Sequence, residues 1–550
     1  MNILEDVQKA VKYTSQGDFK SAEKIYIDIL KRDSKNDVVL TMLGVLYLNT
    51  GYFKSAEYYL KESNSIRPSL VNTENLGFAY FCLGKQDLAA EYFERVIGKS
   101  LNFDVYEKYV AYLQRIEENR KAYEVALLAH EKFPLKPEAI AQLADCCIDI
   151  GKYKEAHSLA SQVTRAYPDF GEGWIVSGMI CEIFMRDEAA AKKCYEKALA
   201  CGEKRKAYYN LAINAGRGGD YDTALKYVKK IYRGPKKDAW LNFTLANLYF
   251  KKREFKKAYK YYIERDIQCG PKHPIFKLKR QWDGKKYKQE TLLVFCDQGY
   301  GDTFMFLRYV PLIKDKFKTV KILIRKEMAG IVKRSFEKYD NIKVCILTKR
   351  FPNYDKSVIL SHIPYYLKTD IDKIPFSEGY FIPDKKIVSD YKTKFKPDKL
   401  KAGICWEAGA AGLRDLIHRT LVVPMFEELF KIKCIQFSSF QVNPIMDDYK
   451  KYPELTDLGK SFDDFDKTAG ALANLDIFIT VDTAAAHLAG ALGVKTYLLL
   501  PSTADWRWFD NDKKTEWYDS VTIFKQKTPE TWDDVFENLK TEILKLTKEN

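Results

Sequence analysis

One short stretch combines residue types that could hold a phosphate group. In DIFITVDTAAAHLAGALG a hydrophobic strand is predicted to end at Asp482 and Thr483, and the small residues from Ala484 onward carry a single His487. Aspartate or threonine can cap a helix, and the free N–H groups of a helix N-terminus favour an anion. Thr483 and His487 would lie on one helix face. The pattern predicts either a phosphate site or a closely packed helix with a buried histidine.

A second candidate is the glycine turn in DQGYGDTFMF. Gly299 and Gly301 would allow backbone N–H groups to approach a ligand closely, and Asp302 follows at the predicted start of a helix. The alternative to a ligand turn is that Asp302 only caps its helix. The turn is not a P-loop, because no Gly-Lys-Ser or Gly-Lys-Thr sequence follows it.

The bulk composition limits the partners that these residues could serve. The chain has 550 residues, too many for one core, and predicts about two to four domains. Its net charge of +15 comes from 90 Lys and Arg against 75 Asp and Glu. These cations are spread along the chain without a dense basic run or a nucleic-acid motif, so we expect no nucleic-acid binding. An anionic small substrate or an acidic partner fits the charge.

The cysteines and the N-terminal residues predict the cellular compartment of the protein. Eleven cysteines are scattered without a CxxC pair, and the first residues contain no apolar signal core. No segment reaches the ~18 apolar residues of a membrane span. These features predict a cytoplasmic protein with free thiols and no membrane insertion. No cluster of histidines and cysteines has metal-ligand spacing, so we expect no metal cofactor.

The elements that position these candidates divide the chain in two, and the first part is repetitive. Residues 3 to about 272 recur with a period near 34 and contain about eight tetratricopeptide (TPR) repeats, with weaker units around Ala122 and Ala190. Each repeat is predicted to be two antiparallel helices. Stacked repeats build a concave surface, which predicts protein docking; a spacer or an oligomerisation element is the alternative. The clearest repeat carries the pattern at Leu40, Leu43, Gly44, Tyr47, Gly51, Phe53, Ala56, Leu60 and Pro68.

The second part alternates predicted strands and helices. Buried strands such as TLLVFC, TVKILIR, GICW, IQFSS and KTYLLLP are typical of parallel, doubly wound sheets. We therefore predict an α plus α/β protein, with a TPR α-solenoid over residues 1–272 and two Rossmann-like domains over 273–395 and 396–550. Two such sheets would leave a ligand cleft at the carboxyl ends of their strands.

Four segments carry a resemblance to a known enzyme family. They are QWDGKKYKQETLLVFCDQGYGDTFMFLRYVP, GICWEAG, VDTAAAHLAGALGVKTYLLLPSTADWRW and WYDSVTIFKQ. Together with the repeats, they resemble the TPR glycosyltransferases whose catalytic part is related to the lipopolysaccharide heptosyltransferases (glycosyltransferase family nine), as in bacterial flagellin-modifying enzymes. The resemblance implies a GT-B pair of domains that works without a metal. Its acceptor side would be residues 273–395 and its nucleotide-sugar side residues 396–550.

The resemblance also implies roles for the candidate residues. Asp302 would be the catalytic base that activates a serine or threonine hydroxyl. The element from Asp482 to His487 would bind the phosphates and the sugar of the donor. There, Thr483 and the helix N-terminus would contact a phosphate, and His487 could donate a hydrogen bond to the leaving group.

A third element follows the predicted strand GICW. Trp406 and Gly409 lie in a turn expected to face the cleft, and relatives have basic and hydroxyl residues in the loop that comes next. Arg414, Arg419 and Thr420 occupy comparable places here. Arg419 could stabilise the charge of the departing phosphate. The alternative is that this is a solvated loop.

The last predicted part of the donor site is the loop PSTADWRWFD. Asp505, Trp506 and Arg507 follow a predicted strand that ends at Pro501. The loop could close over the base or the sugar of the donor. Trp506 and Trp508 could equally be packing residues.

These features predict a glycosyltransferase that moves a sugar from a nucleotide-activated donor to Ser or Thr hydroxyls of a protein docked by the repeats. By resemblance, the acceptor would be flagellin-like. Two alternatives stay open: an interaction scaffold whose GT-B half is not catalytic, and transfer to a lipid or polysaccharide. The sugar, the nucleotide and the stereochemical outcome are not determined by these motifs.

Overall fold

The computed structural model describes residues 3–235, 238–265, 278, 280–297, 299–408, 420–444, 447–509, 513–528 and 531–549. The chain folds as two compact units, Met1–Glu203 and Lys204–Asn550. The first unit is helical, and the second begins with helices and continues into two parallel sheets. The predicted helical solenoid followed by parallel sheets is confirmed at this level. None of the described helices is both long and apolar enough to cross a membrane.

Consecutive helices of the first unit pack against each other in pairs, and two more pairs open the second unit. The pairs of the first unit are α1 Ile3–Ser15 and α2 Phe19–Arg32, α3 Asp37–Asn49 and α4 Phe53–Ile66, α5 Leu70–Cys82 and α6 Gln86–Val96, α7 Phe103–Arg115 and α8 Asn119–Lys132, α9 Pro137–Asp149 and α10 Tyr153–Ala166, and α11 Gly171–Ile180 and α12 Glu188–Ala200. The pairs of the second unit are α13 Lys204–Arg217 and α14 Tyr221–Ile231, and α15 Ala239–Lys251 and α16 Phe255–Tyr262.

Small residues stand where the two helices of a pair cross. A Cβ on Gly44 would lie 2.6 Å from Cγ of Leu60, and a Cβ on Gly77 would lie 2.5 Å from Cε1 of Phe93. Both distances are below van der Waals contact, so only glycine allows the large side chain of the second helix to pack there. This close packing gives the repeat its Gly and Leu or Phe pattern.

The turn inside each described pair contains one residue in the left-handed backbone region, and these residues recur about every 34 positions, which is the TPR period. At three of the turns the residue is Glu117, Arg186 or Arg253, where the other repeats have glycine. The weak repeat signals near Ala122 and Ala190 lie beside two of these three turns. The turn residues and their φ angles are Gly17 (78°), Gly51 (82°), Gly84 (72°), Glu117 (63°), Gly151 (79°), Arg186 (54°), Gly219 (79°) and Arg253 (60°).

Glu117→Gly is therefore expected to stabilise the first unit by up to about 1 kcal/mol. A side chain in the left-handed region costs about 1–2 kcal/mol, part of which is offset by the greater entropy of glycine in the unfolded chain. The neighbouring Glu118→Gly is the control, because Glu118 has a φ of −81°, outside the left-handed region. Urea unfolding should show a gain for Glu117→Gly alone; a loss of stability in both variants would contradict the explanation.

Ten described strands form the two sheets of the second unit, and every pair of neighbouring strands is parallel. The strands are β1 Tyr287–Phe295, β2 Phe317–Ile324, β3 Ile342–Ile346, β4 Lys356–Ile359, β5 Leu400–Cys405, β6 Ile435–Ser439, β7 Leu455–Asp457, β8 Ile477–Thr480, β9 Thr496–Leu500 and β10 Val521–Lys525. The α-helices between and after them are Tyr300–Leu307, Ala329–Phe336, Ile363–Tyr366, Lys385–Lys392, Glu427–Phe430, Phe465–Leu472, Ala484–Leu492 and Asp533–Glu549.

The strand orders place one switch point in each sheet. The first sheet has the order β3-β2-β1-β4 and the second has β10-β9-β8-β5-β6-β7. Strands β6 and β9 are buried along their whole length, as expected for parallel strands with both faces covered. The direction of winding reverses between β1 and β4 and between β5 and β8. In sheets of this kind, ligands bind outside the carboxyl ends of the strands at such a point.

Candidate functional site

The switch point of the second sheet brings two predicted elements side by side. Cys405, the last residue of β5, is the register partner of Thr480, the last residue of β8. The turn with Trp406 follows β5, and the turn with Asp482 follows β8. Both turns therefore begin at the same edge of the sheet, where a ligand would bind.

Thr483 caps the helix Ala484–Leu492, here called the Thr483 helix. Its Oγ1 accepts a hydrogen bond from the Ala486 N–H at 3.2 Å, and the Thr480 hydroxyl lies 3.1 Å away. The first N–H groups of a helix have no partner within the helix, so the N-terminus at Ala484 can receive an anion. Further along, packing explains the small residues, because a Cβ on Gly490 would lie 2.4 Å from the Tyr518 ring.

Asp302 lies in the first turn of the helix Tyr300–Leu307, here called the Asp302 helix, which packs against the Thr483 helix. Arg507 donates to both of its carboxylate oxygens, from Nε at 2.5 Å and from Nη2 at 2.8 Å. Side-chain exposure is 9% for Asp302 and 17% for Arg507, so this bidentate pair is largely shielded from water. Each carboxylate oxygen retains a second lone pair that could accept a proton or a further hydrogen bond.

Gly301 lets the two helices approach each other. A Cβ on Gly301 would lie 2.8 Å from Cδ2 of His487 and 3.5 Å from Cα of Ala484. Gly299 is different, because nothing lies within 4 Å of the position of its Cβ. The two glycines of the predicted ligand turn therefore have separate structural roles: Gly301 permits packing, and Gly299 precedes the Asp302 helix as its N-cap.

Gly301→Ala is expected to destabilise the second unit by about 1–3 kcal/mol, because an added methyl group must displace His487 or separate the helices. Gly299→Ala is the matched control, with a φ of −59° and open space around the new Cβ. It should cost less, about 0.5–1 kcal/mol, because alanine is a poorer N-cap than glycine but meets no steric clash here. Chemical unfolding measures both variants, and equal effects would refute the packing role of Gly301.

His487 is buried on the Thr483 helix, with its ring stacked on Trp508 at a centroid distance of 4.7 Å. Its Nδ1 lies 3.1 Å from the hydroxyl of Tyr518. Burial lowers the pKa of His487 to about 3, so the imidazole is neutral near neutral pH. Its Nε2 is 3.9 Å from Oδ1 of Asp482, beyond hydrogen-bond distance. A neutral ring can still donate one N–H to a ligand.

Lowering the pH from about 6 to about 5 is expected to reduce the free energy of unfolding by about 1 kcal/mol through His487. An unfolded histidine, with the ordinary pKa of 6.5, takes up a proton in this range, whereas folded His487 does not until about pH 3. Acid therefore favours the unfolded chain. His487→Gln should reduce this pH dependence, and His157→Gln, at an exposed residue of α10, is the control. An unchanged pH dependence in His487→Gln would contradict the assignment.

The turn after β5 places Trp406 in the core. Its ring is buried and lies 5.9 Å from the ring of Tyr449. Thr420 is next to it in space, because the Leu421 N–H donates to the Trp406 carbonyl at 2.9 Å. The buried Thr420 hydroxyl has no hydrogen-bond partner among the described residues, so it could serve a ligand. Three further residues of the predicted donor site lie outside the described residues: Gly409, Arg414 and Arg419.

The loop after β9 orients Arg507 and fills the core. Oδ1 of Asp505 accepts hydrogen bonds from the backbone N–H and from Nη1 of Arg507, at 3.0 and 2.7 Å. Trp506 is 1% exposed and stacks on Phe250 at a centroid distance of 4.3 Å, with Tyr262 at 5.7 Å. The ring of Trp506 thus packs against α15 and α16, which agrees with the packing alternative for this residue.

Sequence reasoning gave no individual role to three residues that shape the site, although it placed Arg507 in a loop that could close over the donor. Arg507 holds Asp302, and Tyr518 contacts His487. Oε1 of Gln441 accepts hydrogen bonds from the backbone N–H groups of Trp406 at 3.2 Å and of Glu407 at 2.9 Å. Only Arg507 left a sequence signal, as a cation between two tryptophans in a loop already singled out.

Comparison with known proteins supports the repeats. The tetratricopeptide repeat family model matches residues 38–70, which cover most of α3 and all of α4. Protein FlbA of Caulobacter vibrioides is 21% identical over 564 residues, which is 96% of this chain and 87% of that protein. The predicted TPR character of the N-terminal part is therefore confirmed by the family match.

Solved structures similar to this chain include TPR proteins. A tetratricopeptide repeat protein from Parabacteroides merdae has a TM-score of 0.36 and 17% identity, and covers 42% of this chain and 91% of its own. YrrB, described as a TPR protein with an unusual peptide-binding site, has a TM-score of 0.30 and 16% identity, and covers 37% of this chain and 97% of its own.

Proposed function

We propose that this protein is a glycosyltransferase that moves a sugar from a nucleotide-activated donor to Ser or Thr hydroxyls of a protein acceptor. One observation carries the proposal: the capped N-terminus of the Thr483 helix lies at the switch point of the second sheet and packs against the helix that carries Asp302. An anion site and a carboxylate are thereby held on neighbouring helices. In this proposal, the two sheets are the two halves of a GT-B enzyme.

The chemical step needs a base at the acceptor and charge stabilisation at the leaving group. Asp302 would take the proton of the acceptor hydroxyl as its oxygen forms a bond to the anomeric carbon. The bond between that carbon and the phosphate oxygen breaks, and the nucleotide leaves with the bonding electrons. Arg507 is already paired with two carboxylates, so its role would be to position Asp302.

The residues near the Thr483 helix would hold the leaving phosphate. Backbone N–H groups at Ala484 and the hydroxyl of Thr420 would donate to phosphate oxygens, and the neutral ring of His487 would offer one N–H. Arg419 remains the predicted cationic partner of the phosphate. Asp482 would fix the turn or accept a hydrogen bond from a sugar hydroxyl.

The repeats would present the acceptor. TPR proteins generally bind protein partners, and stacked repeats provide an extended surface for them. In this chain, the last described pair, α15 and α16, contacts the loop of Asp505 and Arg507 through Trp506. A flagellin-like acceptor is suggested by the sequence resemblance alone.

The first experiment measures the thermal stability of the protein with UDP-, GDP-, ADP- and CMP-linked sugars, since a bound ligand raises stability by mass action. One nucleotide class should raise the melting temperature, and Thr483→Val should lose that shift. Thr522→Val is the control, at an exposed threonine of β10. The donor so identified is then used in transfer assays with candidate protein acceptors. No shift with any nucleotide sugar in the folded protein would reject the proposal.

The second candidate function is a protein-interaction scaffold. The observation in its favour is that Asp302 and His487 both have complete structural roles, one paired with Arg507 and the other packed between Trp508 and Tyr518. A scaffold would use these contacts only for stability. Donor binding without transfer to any acceptor would favour this function.

A further inference from the structure

The sixth helix pair, α11 and α12, carries two cysteines beside the point where its helices cross. A Cβ on Gly178 would lie 2.3 Å from Cε1 of Tyr195, so the two helices are in close contact there. Cys181 follows Gly178 by three positions, at the start of a π-helix, Cys181–Met185, that extends α11. Cys194 immediately precedes Tyr195 in α12. The two cysteines therefore stand on opposite helices at the same crossing.

The same two positions, counted from the crossing, hold a pair of tyrosines in other helix pairs. In α3 and α4 they hold Tyr47 and Tyr59, whose ring centroids are 5.6 Å apart. In α5 and α6 they hold Tyr80 and Tyr92, at a centroid distance of 5.2 Å. Side chains at these positions thus contact each other across the pair. In α11 and α12, two small thiols replace the two aromatic rings.

The thiols of Cys181 and Cys194 are hydrogen bonded to each other, and both residues keep part of their surface exposed. The hydrogen bond from Cys181 lowers the pKa of the Cys194 thiol against the opposing effect of burial, and the charge of Lys197 lowers it further. The same hydrogen bond raises the pKa of Cys181. Because the thiolate is the nucleophilic form of cysteine, Cys194 is the thiol suited to react first.

We propose that Cys181 and Cys194 are a redox modification site, which hydrogen peroxide converts into a reversible disulfide. The Cys194 thiolate attacks one oxygen of the peroxide, the O–O bond breaks, and a sulfenic acid and a water molecule result. The sulfur of Cys181 then attacks the sulfenic sulfur and loses its proton. The S–S bond forms, and the hydroxyl group leaves as a second water. Two electrons pass from the thiols to the peroxide, and exchange with a dithiol reverses the reaction.

Other cysteines of the first unit provide internal controls. Cys146 and Cys147 are adjacent in sequence but fully buried, and burial raises the pKa of Cys147 to about 12. Cys82 is exposed, but partial burial of its thiol raises its pKa. We expect these three thiols to stay reduced under mild oxidation. They separate the effect of exposure alone, or of a neighbouring cysteine alone, from the arrangement in α11 and α12.

The test exposes the reduced full-length protein to hydrogen peroxide, alkylates the remaining thiols after unfolding, and maps the peptides by mass spectrometry. We expect a cross-linked pair of peptides that contains Cys181 and Cys194 and that dithiothreitol separates. Cys194 should react at least about tenfold faster than Cys82, because more of it is thiolate. The inference does not depend on glycosyltransferase activity, and the wild-type map requires no variant to fold.

Two serine variants assign the steps. In Cys181→Ser the reaction should stop at the sulfenic acid of Cys194, which dimedone traps. In Cys194→Ser no cross-link should form, and Cys181 should react no faster than Cys82. No cross-link in the folded wild-type protein, a cross-link to a different cysteine, or equal rates at Cys194 and Cys82 would each overturn the proposal.

Discussion

Replacing Asp302 by asparagine is expected to lower the rate of sugar transfer by about 10²- to 10⁴-fold, the usual range for loss of a general base. Asparagine keeps a similar shape and can still accept a hydrogen bond from Arg507, but its amide cannot take the proton of the acceptor hydroxyl. Donor binding, measured by thermal stability with the identified nucleotide sugar, should remain, because the phosphate contacts come from the Thr483 helix.

Asp505→Asn is the matched control for this prediction. Asp505 bonds the same guanidinium through Nη1, so the variant also removes one negative charge beside Arg507. It leaves the proposed base in place and should affect transfer much less than Asp302→Asn. Equal loss of activity in the two variants would mean that the charge around Arg507 matters, and that Asp302 is not the base. Full activity in Asp302→Asn would exclude the proposed mechanism.

Replacing Arg507 by methionine is expected to destabilise the second unit by about 3–5 kcal/mol. The substitution leaves the buried carboxylate of Asp302 without its bidentate partner, and an uncompensated buried charge is strongly destabilising. The effect should appear as a shift of the urea unfolding midpoint. Arg253→Met is the control: Arg253 pairs with Glu516, but its side chain is 44% exposed, and such pairs contribute about 1 kcal/mol or less.

A double variant separates lost charge pairing from lost packing. If the unpaired carboxylate causes the destabilisation, Asp302→Asn with Arg507→Met should be less destabilised than the sum of the single variants. Additive effects would indicate that the methylene groups of Arg507, and not its charge, stabilise the loop. A shift no larger than that of Arg253→Met would refute the prediction.

The repeats could be read from the sequence because their requirements are local. A glycine such as Gly51 adopts a left-handed turn that other residues rarely take, and Gly44 provides space for a side chain only one helix away. The missing glycine contributes to the weak repeat signals, since Glu117 and Arg186 adopt the turn without the usual residue. These turns lack the glycine that marks a repeat in the sequence, but they keep the left-handed backbone conformation.

The sequence predicted the residues of the candidate site only in part. Cap residues such as Thr483 act on N–H groups two or three positions away, so the sequence indicates them directly. The role of Trp506 was open because one tryptophan in a loop is compatible with ligand stacking and with packing. The structure shows the ring of Trp506 stacked on Phe250. No local sequence pattern relates these two residues.

The sequence by itself determined the helix pairs, the buried parallel strands and the residue types at their ends, since each depends on neighbours along the chain. Only the tertiary structure decided which of these ends meet. Asp302 forms an ion pair with Arg507, which lies 205 residues away in sequence. Gly301 leaves the space that the ring of His487, on another helix, occupies. Such contacts depend on the order and packing of strands and helices far apart in sequence, which periodicity and capping patterns do not encode.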